Sequence, residues 1–127
     1  MALPASVEPI RRVAVVDDSE AVRLSLRLLL GRRGFLVDTY ASASDLFAGM
    51  VDVDYDCFVI DFKLDDLDGF GVLAQIRGSG YDSPAILISG WDSGTLDARS
   101  LKAGFAAFVR KPMLETSLAD VLDGILR

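Results

Sequence analysis

Five polar side chains stand just beyond short apolar runs. Asp17 and Asp18 follow Val13–Val16, Asp61 follows Cys57–Ile60, Ser89 follows Ala85–Ile88, and Lys111 comes shortly after Ala106–Val109. If those runs lie side by side, three carboxylates, a hydroxyl and an ammonium converge on one edge. Carboxylates crowded together without a cation repel and force up one another's pKa. A hard divalent cation relieves this, and Mg2+ prefers a few carboxylates together with water and phosphate. A carboxylate can also attack phosphorus and form an acyl phosphate. Such transfer depends on positioning and on neutralising charge around the phosphoryl oxygens. Asp61, alone at the end of the central run, is the expected nucleophile. Asp17 and Asp18 are the expected metal ligands, and Lys111 and Ser89 complete a clamp on the phosphoryl oxygens.

Those roles require elements that bring the run ends together. The apolar runs are Val13–Val16, Phe35–Tyr40, Cys57–Ile60, Ala85–Ile88 and Ala106–Val109. Their continuous rather than alternating apolar character predicts strands covered on both faces. Helical spacing separates them. Val22, Leu26, Leu29 and Leu30 make one stripe closed by Gly31 and Gly34; Phe70, Leu73, Ala74 and Arg77 make another that stops at Gly78. Leu118, Val121, Leu122 and Ile125 make the last, and Ser42 with Asp45 reads as a helix N-cap with a first-turn acid. Ser93–Ala103, with Gly94 and Thr95 early, predicts a weak helix. Strands alternating with helices imply right-handed crossovers and a parallel sheet. The expected fold is a flavodoxin-like α/β sandwich, a five-stranded parallel sheet with helices on both faces, whose site lies beyond the carboxyl ends of the strands.

Composition narrows the chemistry. The chain has 127 residues, 51% hydrophobic and 25% charged, which is enough for one folded domain. Residues 1–10 read as a flexible extension and 11–127 as the domain. Net charge is −6, which argues against direct nucleic-acid binding. Of 19 acidic residues 16 are Asp, a residue that favours caps, turns and oxygen-ligand sites. There is no His, so His-based zinc sites, Ser-His-Asp catalysis and a phosphohistidine on the chain itself are excluded. The one cysteine, Cys57, cannot close an internal disulfide and reads as a small buried hydrophobe. No apolar run approaches the roughly 18 residues of a membrane span, and Met1–Pro9 lacks a signal-peptide core. The expectation is a cytoplasmic protein with no membrane contact. Arginines at 23, 27, 32 and 33, with Leu24 and Leu28 off the main stripe, give the first helix either a solvated face or a dock for an acidic, apolar partner.

Over about residues 11–127 the sequence resembles the receiver domains of two-component response regulators. Val15-Val16-Asp17-Asp18-Ser19-Glu20-Ala21-Val22-Arg23 is similar to that family's acidic-pair signature. Asp61 stands at the phosphoacceptor position, followed by Leu64 and Asp68-Gly69, and Ser89-Gly90 matches the switch hydroxyl with its small neighbour. Lys102-Ala103-Gly104, then Phe108, then Lys111-Pro112, matches the run that holds the switch aromatic and the lysine. The spacings, 28 residues from Asp61 to Ser89 and 22 from Ser89 to Lys111, are ordinary for receivers.

The resemblance implies strand order 2-1-3-4-5. It also implies direct Mg2+ ligation by Asp18, ligation by Asp17 mostly through water, and completion by Asp61 and the backbone carbonyl of Lys63. It implies a cis Lys111–Pro112 bond, and a switch in which Ser89 moves inward and Phe108 follows, reshaping the surface of the fourth helix, fifth strand and fifth helix. The donor would be a phosphohistidine of a sensor histidine kinase or histidine phosphotransferase. The chain would not be an enzyme beyond catalysing its own phosphorylation and dephosphorylation. A homodimer through the same surface is one assembly the resemblance allows. The sequence names no downstream protein or fused output domain.

The sequence departs from the family pattern at Asp65, where proline is usual. With Asp66 and Asp68 close by, this predicts a more mobile and more negative loop, its acids reading as solvated or capping rather than ligating. Lys63 and Trp91 occupy positions that tune phosphoryl lifetime in the family. A degenerate receiver serving only as an interaction module is the alternative. An Asp-based phosphatase needs a second acid two residues beyond the nucleophile, where this chain has Lys63. A flavin or nucleotide binder needs a phosphate-binding loop that no strand end here provides.

Overall fold

Val, Ile, Leu and Phe dominate the strand cores, and their side chains alternate between two faces as strand geometry demands. The computed structural model describes residues 9–90, 94–111 and 117–126. In chain order the elements are β1 (Arg12–Val16), α1 (Glu20–Arg32), β2 (Leu36–Tyr40), α2 (Ala43–Gly49), β3 (Cys57–Asp61), α3 (Gly69–Gly78), β4 (Ala85–Ser89), α4 (Leu96–Ala103), β5 (Ala107–Arg110) and α5 (Ser117–Ile125). The strands form one parallel sheet in the order β2-β1-β3-β4-β5. Fold class and strand order are therefore those expected.

Each face of the sheet builds its own core. Val13, Val15, Val59, Ile86 and Ile88 meet Leu26 and Leu30 of α1 and Leu118 and Leu122 of α5. Ala14, Val16, Phe58, Ile60 and Leu87 meet Leu46 of α2, Val72, Leu73 and Ile76 of α3, and Leu96 of α4. Burying these apolar side chains supplies the main driving force for the fold, at roughly 25 cal/mol per Å².

Four local expectations need correction. Only β3 and β4, with most of β1, are covered on both faces; β2 and β5 are sheet edges and only partly buried. The second strand begins at Leu36, half exposed, and the buried Phe35 precedes it. Helix α1 runs through Gly31 to Arg32, and the turn comes at Gly34, whose φ of 91° suits a residue without a Cβ. The inward stripe of α3 is Gly69, Val72, Leu73 and Ile76, while Ala74 is exposed. The helix is rotated because its first residue seats tightly: a Cβ on Gly69 would lie 2.7 Å from Leu87 Cδ1 and 3.1 Å from the Asp61 carbonyl oxygen. Arg77, expected on the stripe, is half-buried and donates to the carbonyls of Tyr81 and Ser83, at 3.1 and 2.7 Å.

Other expectations stand. Ser42 caps α2, accepting from the Asp45 amide at 3.0 Å. The predicted weak helix is α4, one residue over two turns long, with only Leu96 and Ser100 buried. Leu24 and Leu28 are exposed on α1. Cys57 is fully buried, and burial pushes its thiol up to about 12. Trp91, Pro112 and most of the proposed N-terminal extension lie outside the described residues.

Candidate functional site

The strand register carries the polar residues to one edge. Val16 pairs with Ile60, Asp61 with Ile88, and Ser89 with Arg110, so the carboxyl ends of β1, β3, β4 and β5 line up. The Lys111 amide donates to the Ser89 carbonyl at 2.8 Å, extending β5 one residue beside β4. The Asp17 amide donates to the Tyr40 carbonyl at 3.1 Å and does the same between β1 and β2.

Beyond Val16 the chain turns sharply into α1. The Ser19 amide donates to Asp17 Oδ1 at 2.9 Å, and the Ser19 hydroxyl caps α1 by accepting from the Val22 amide at 3.3 Å. Arg23 Nη1 donates to the Asp17 carbonyl at 2.8 Å, which fixes the turn from within the helix. These bonds leave Asp17 fully buried and Asp18 exposed.

Asp61, only 4% exposed, lies across from Asp17 with Lys111 between them. The Lys111 ammonium is 2.7 Å from Asp17 Oδ2 and 3.3 Å from Asp61 Oδ1. Carboxylate oxygens of Asp17, Asp18 and Asp61 lie within 4.8 Å of one another. Burial, then the neighbouring Asp17 charge, pushes the Asp61 carboxyl up to about 6 against the opposing pull of Lys111. Burial works against the Lys111 ammonium, but Asp17 and Asp61 outweigh it and raise its pKa.

The cluster is thus short of positive charge. Asp17 Oδ2 is buried and, despite its 2.7 Å ion contact with Lys111, receives no hydrogen bond of proper geometry among the described residues. Three convergent carboxylates that share one ammonium fit a hard divalent cation such as Mg2+.

Ser89 is buried at the end of β4, and Phe108, paired in register with Leu87, is half-buried against the core shared with α2, α3 and α4. Lys63 is exposed and forms an isolated bridge with Asp68 in the β3–α3 connection. Of the loop acids expected to be solvated or capping, Asp66 and Asp68 cap helices and Asp65 is exposed. Asp68 accepts from the Gly71 amide at 2.8 Å at the start of α3. Asp66 accepts from the Ala43 and Ser44 amides, at 3.2 and 3.0 Å, at the start of α2. These bonds join the β3–α3 connection to the starts of α2 and α3. Sequence reasoning missed the Asp66 contact, and it missed the close seat of Gly69, for which the Asp68-Gly69 pair was the available signal.

The chain is 34% identical over 111 residues to the C4-dicarboxylate transport transcriptional regulatory protein DctR of Rhodobacter capsulatus, covering 86% of this chain and 56% of that protein. It is 31% identical over 111 residues to the transcriptional regulatory protein FixJ of Rhizobium meliloti, covering 87% and 54%. The chain therefore spans about half the length of these curated relatives. Among solved structures, a CheY-like response regulator receiver domain protein from Methanospirillum hungatei superposes with a TM-score of 0.85 at 25% identity, covering 93% of this chain and 94% of that one. A CheY-like receiver domain from Methylobacillus flagellatus gives 0.82 at 26% identity, covering 92% and 99%. Residues 13–123 match the response regulator receiver domain, and the chain belongs to that family.

Proposed function

We propose that Asp61 is the phosphoacceptor of a two-component phosphorelay and that the domain, residues 11–127, is the switch it controls. The observation that carries this reading is the buried Asp61 carboxylate facing Lys111 at 3.3 Å beside Asp17. An oxygen of Asp61 attacks the phosphorus of a partner's phosphohistidine. The new O–P bond forms as the P–N bond breaks, and the imidazole leaves with the electron pair. The Lys111 ammonium, already 3.3 Å from Asp61, meets one phosphoryl oxygen, and the Ser89 hydroxyl meets another once it is drawn inward. Asp17, Asp18, Asp61 and the Lys63 carbonyl would hold Mg2+, which when bound neutralises charge on the phosphoryl oxygens.

Phosphorylation then draws Ser89 toward the acyl phosphate, Phe108 follows, and the α4-β5-α5 surface changes. This is a local charge event biasing a two-state element. The donor is a sensor histidine kinase or histidine phosphotransferase, the setting is cytoplasmic, and a partner that prefers one form of the surface reads the output. A second copy of the chain is one such partner. The completeness of the cluster weighs against a degenerate interaction module. Beryllofluoride with Mg2+ should imitate the phosphorylated state. Large amide shifts at Asp61, Ser89, Phe108 and Lys111 are expected, and a spectrum unchanged by the complex would overturn the switch.

A further inference from the structure

The two halves of the proposed metal cradle come from different loops. Asp17 and Asp18 lie on the β1–α1 turn; Asp61 and the Lys63 carbonyl lie at the start of the β3–α3 connection. No proline stiffens that connection from Phe62 to Asp68. Its ends are fixed by backbone bonds: the Phe62 amide donates to Ile88 at 2.9 Å and the Gly69 amide to Phe62 at 2.8 Å. Its middle is tied to another element through Asp66. One carboxylate oxygen accepts from the Ala43 amide at 3.2 Å, and the other from the Ser44 amide and hydroxyl, both at 3.0 Å. These bonds, that of the Ser44 amide foremost, hold the Asp66 carboxyl below the usual range.

The segment that receives Asp66 also supports the other half of the cradle. Helix α2 begins three residues after Tyr40, whose carbonyl accepts the Asp17 amide at 3.1 Å. Hydrogen bonds and short chain segments thus lead from the Asp17 turn through Tyr40 and the start of α2 to Asp66, three residues along the chain from Lys63, which is itself bridged to Asp68. We infer that Asp66 is a positioning residue for the metal-binding half of the site, fixing the β3–α3 connection against the β2–α2 connection so that the Lys63 carbonyl and the three carboxylates share one geometry. This role rests on the reading of Asp61 as a Mg2+-dependent phosphoacceptor. It goes beyond capping, since a cap alone would stabilise α2 without affecting the metal.

The test is a Mg2+ titration of the full chain followed by amide chemical shifts, with hydrogen exchange and unfolding measured on the same samples. Asp66→Ala should weaken Mg2+ binding roughly tenfold, the lower end of the range for a lost outer-shell support, and speed exchange at residues 43–45 and 63–67. Asp66→Asn keeps one acceptor oxygen and should fall between Asp66→Ala and the parent chain. Asp65→Ala removes the same charge from the neighbouring exposed residue and should stay within about twofold of the parent chain, the spread left by screened surface charge. If Asp66→Ala binds Mg2+ as the parent does, or if Asp65→Ala weakens binding equally, the clamp is refuted while the phosphoacceptor reading stands. If the parent chain shows no response to Mg2+, both fall.

Discussion

Replacing Asp61 with Asn should stabilise the metal-free protein at neutral pH, a counterintuitive outcome for a residue at the centre of the site. The Asp61 carboxyl is raised from 3.8 to about 6, first by burial and then by Asp17. Between those values the folded chain binds more protons than the unfolded one, so stability falls as pH rises through the window. Above about pH 6 the full penalty applies: two units at ~1.36 kcal/mol each come to about 3 kcal/mol. Asn removes the charge at nearly the same volume but still buries an amide, which leaves a net gain of about 2 kcal/mol. For a domain of this size that corresponds to roughly 6–10 °C in Tm. Urea unfolding in EDTA from pH 4 to pH 8 would measure it. The gap should be widest above pH 7 and close toward pH 4, where both side chains are neutral in the folded state. A variant no more stable than the parent at pH 7.5, or a gap that ignores pH, would refute the charge-deficit reasoning.

Other perturbations follow from the same geometry. Lys111→Met strips the cation from between Asp17 and Asp61. The Asp61 titration should move further up by carboxyl NMR, with a loss of about 3–5 kcal/mol at neutral pH without metal; an unmoved titration would contradict the pairing. Gly69→Ala drives a methyl to within 2.7 Å of Leu87 Cδ1 and 3.1 Å of the Asp61 carbonyl oxygen, and denaturant melts should show a loss of about 1–3 kcal/mol. Cys57, buried and with its thiol pushed up to about 12, should resist a thiol-labelling reagent at pH 8 in the native chain and react once unfolded. Rapid native labelling would contradict its burial.

What was legible in the sequence followed from short-range pattern. The continuous apolar runs that became β1, β3 and β4 could sit only where helices cover both faces, and that placed Asp17, Asp18, Asp61, Ser89 and Lys111 on one edge. The same rule overstated the cover of the second and fifth runs. Edge position depends on strand order, which the family resemblance supplied and local composition does not contain. The face of α3 was misjudged because Phe70 and Ala74 fit the helical period as well as Val72 and Ile76 do. The tight seat of Gly69 against Leu87 and Asp61 decides between them, and that is a contact across the fold. Asp66 was hidden for the same reason: its partners, Ala43 and Ser44, lie 23 and 22 residues away in the chain. The acids of that loop were read as solvated or capping, and which helix Asp66 and Asp68 each cap is set by tertiary placement.

The central claim, that Asp61 receives the phosphoryl group, is tested most directly by intact mass after incubation with acetyl phosphate. The account predicts one added phosphoryl group on the parent chain, present with Mg2+, absent with EDTA and absent from Asp61→Asn. An adduct of the same yield on Asp61→Asn, or one indifferent to Mg2+, would contradict it.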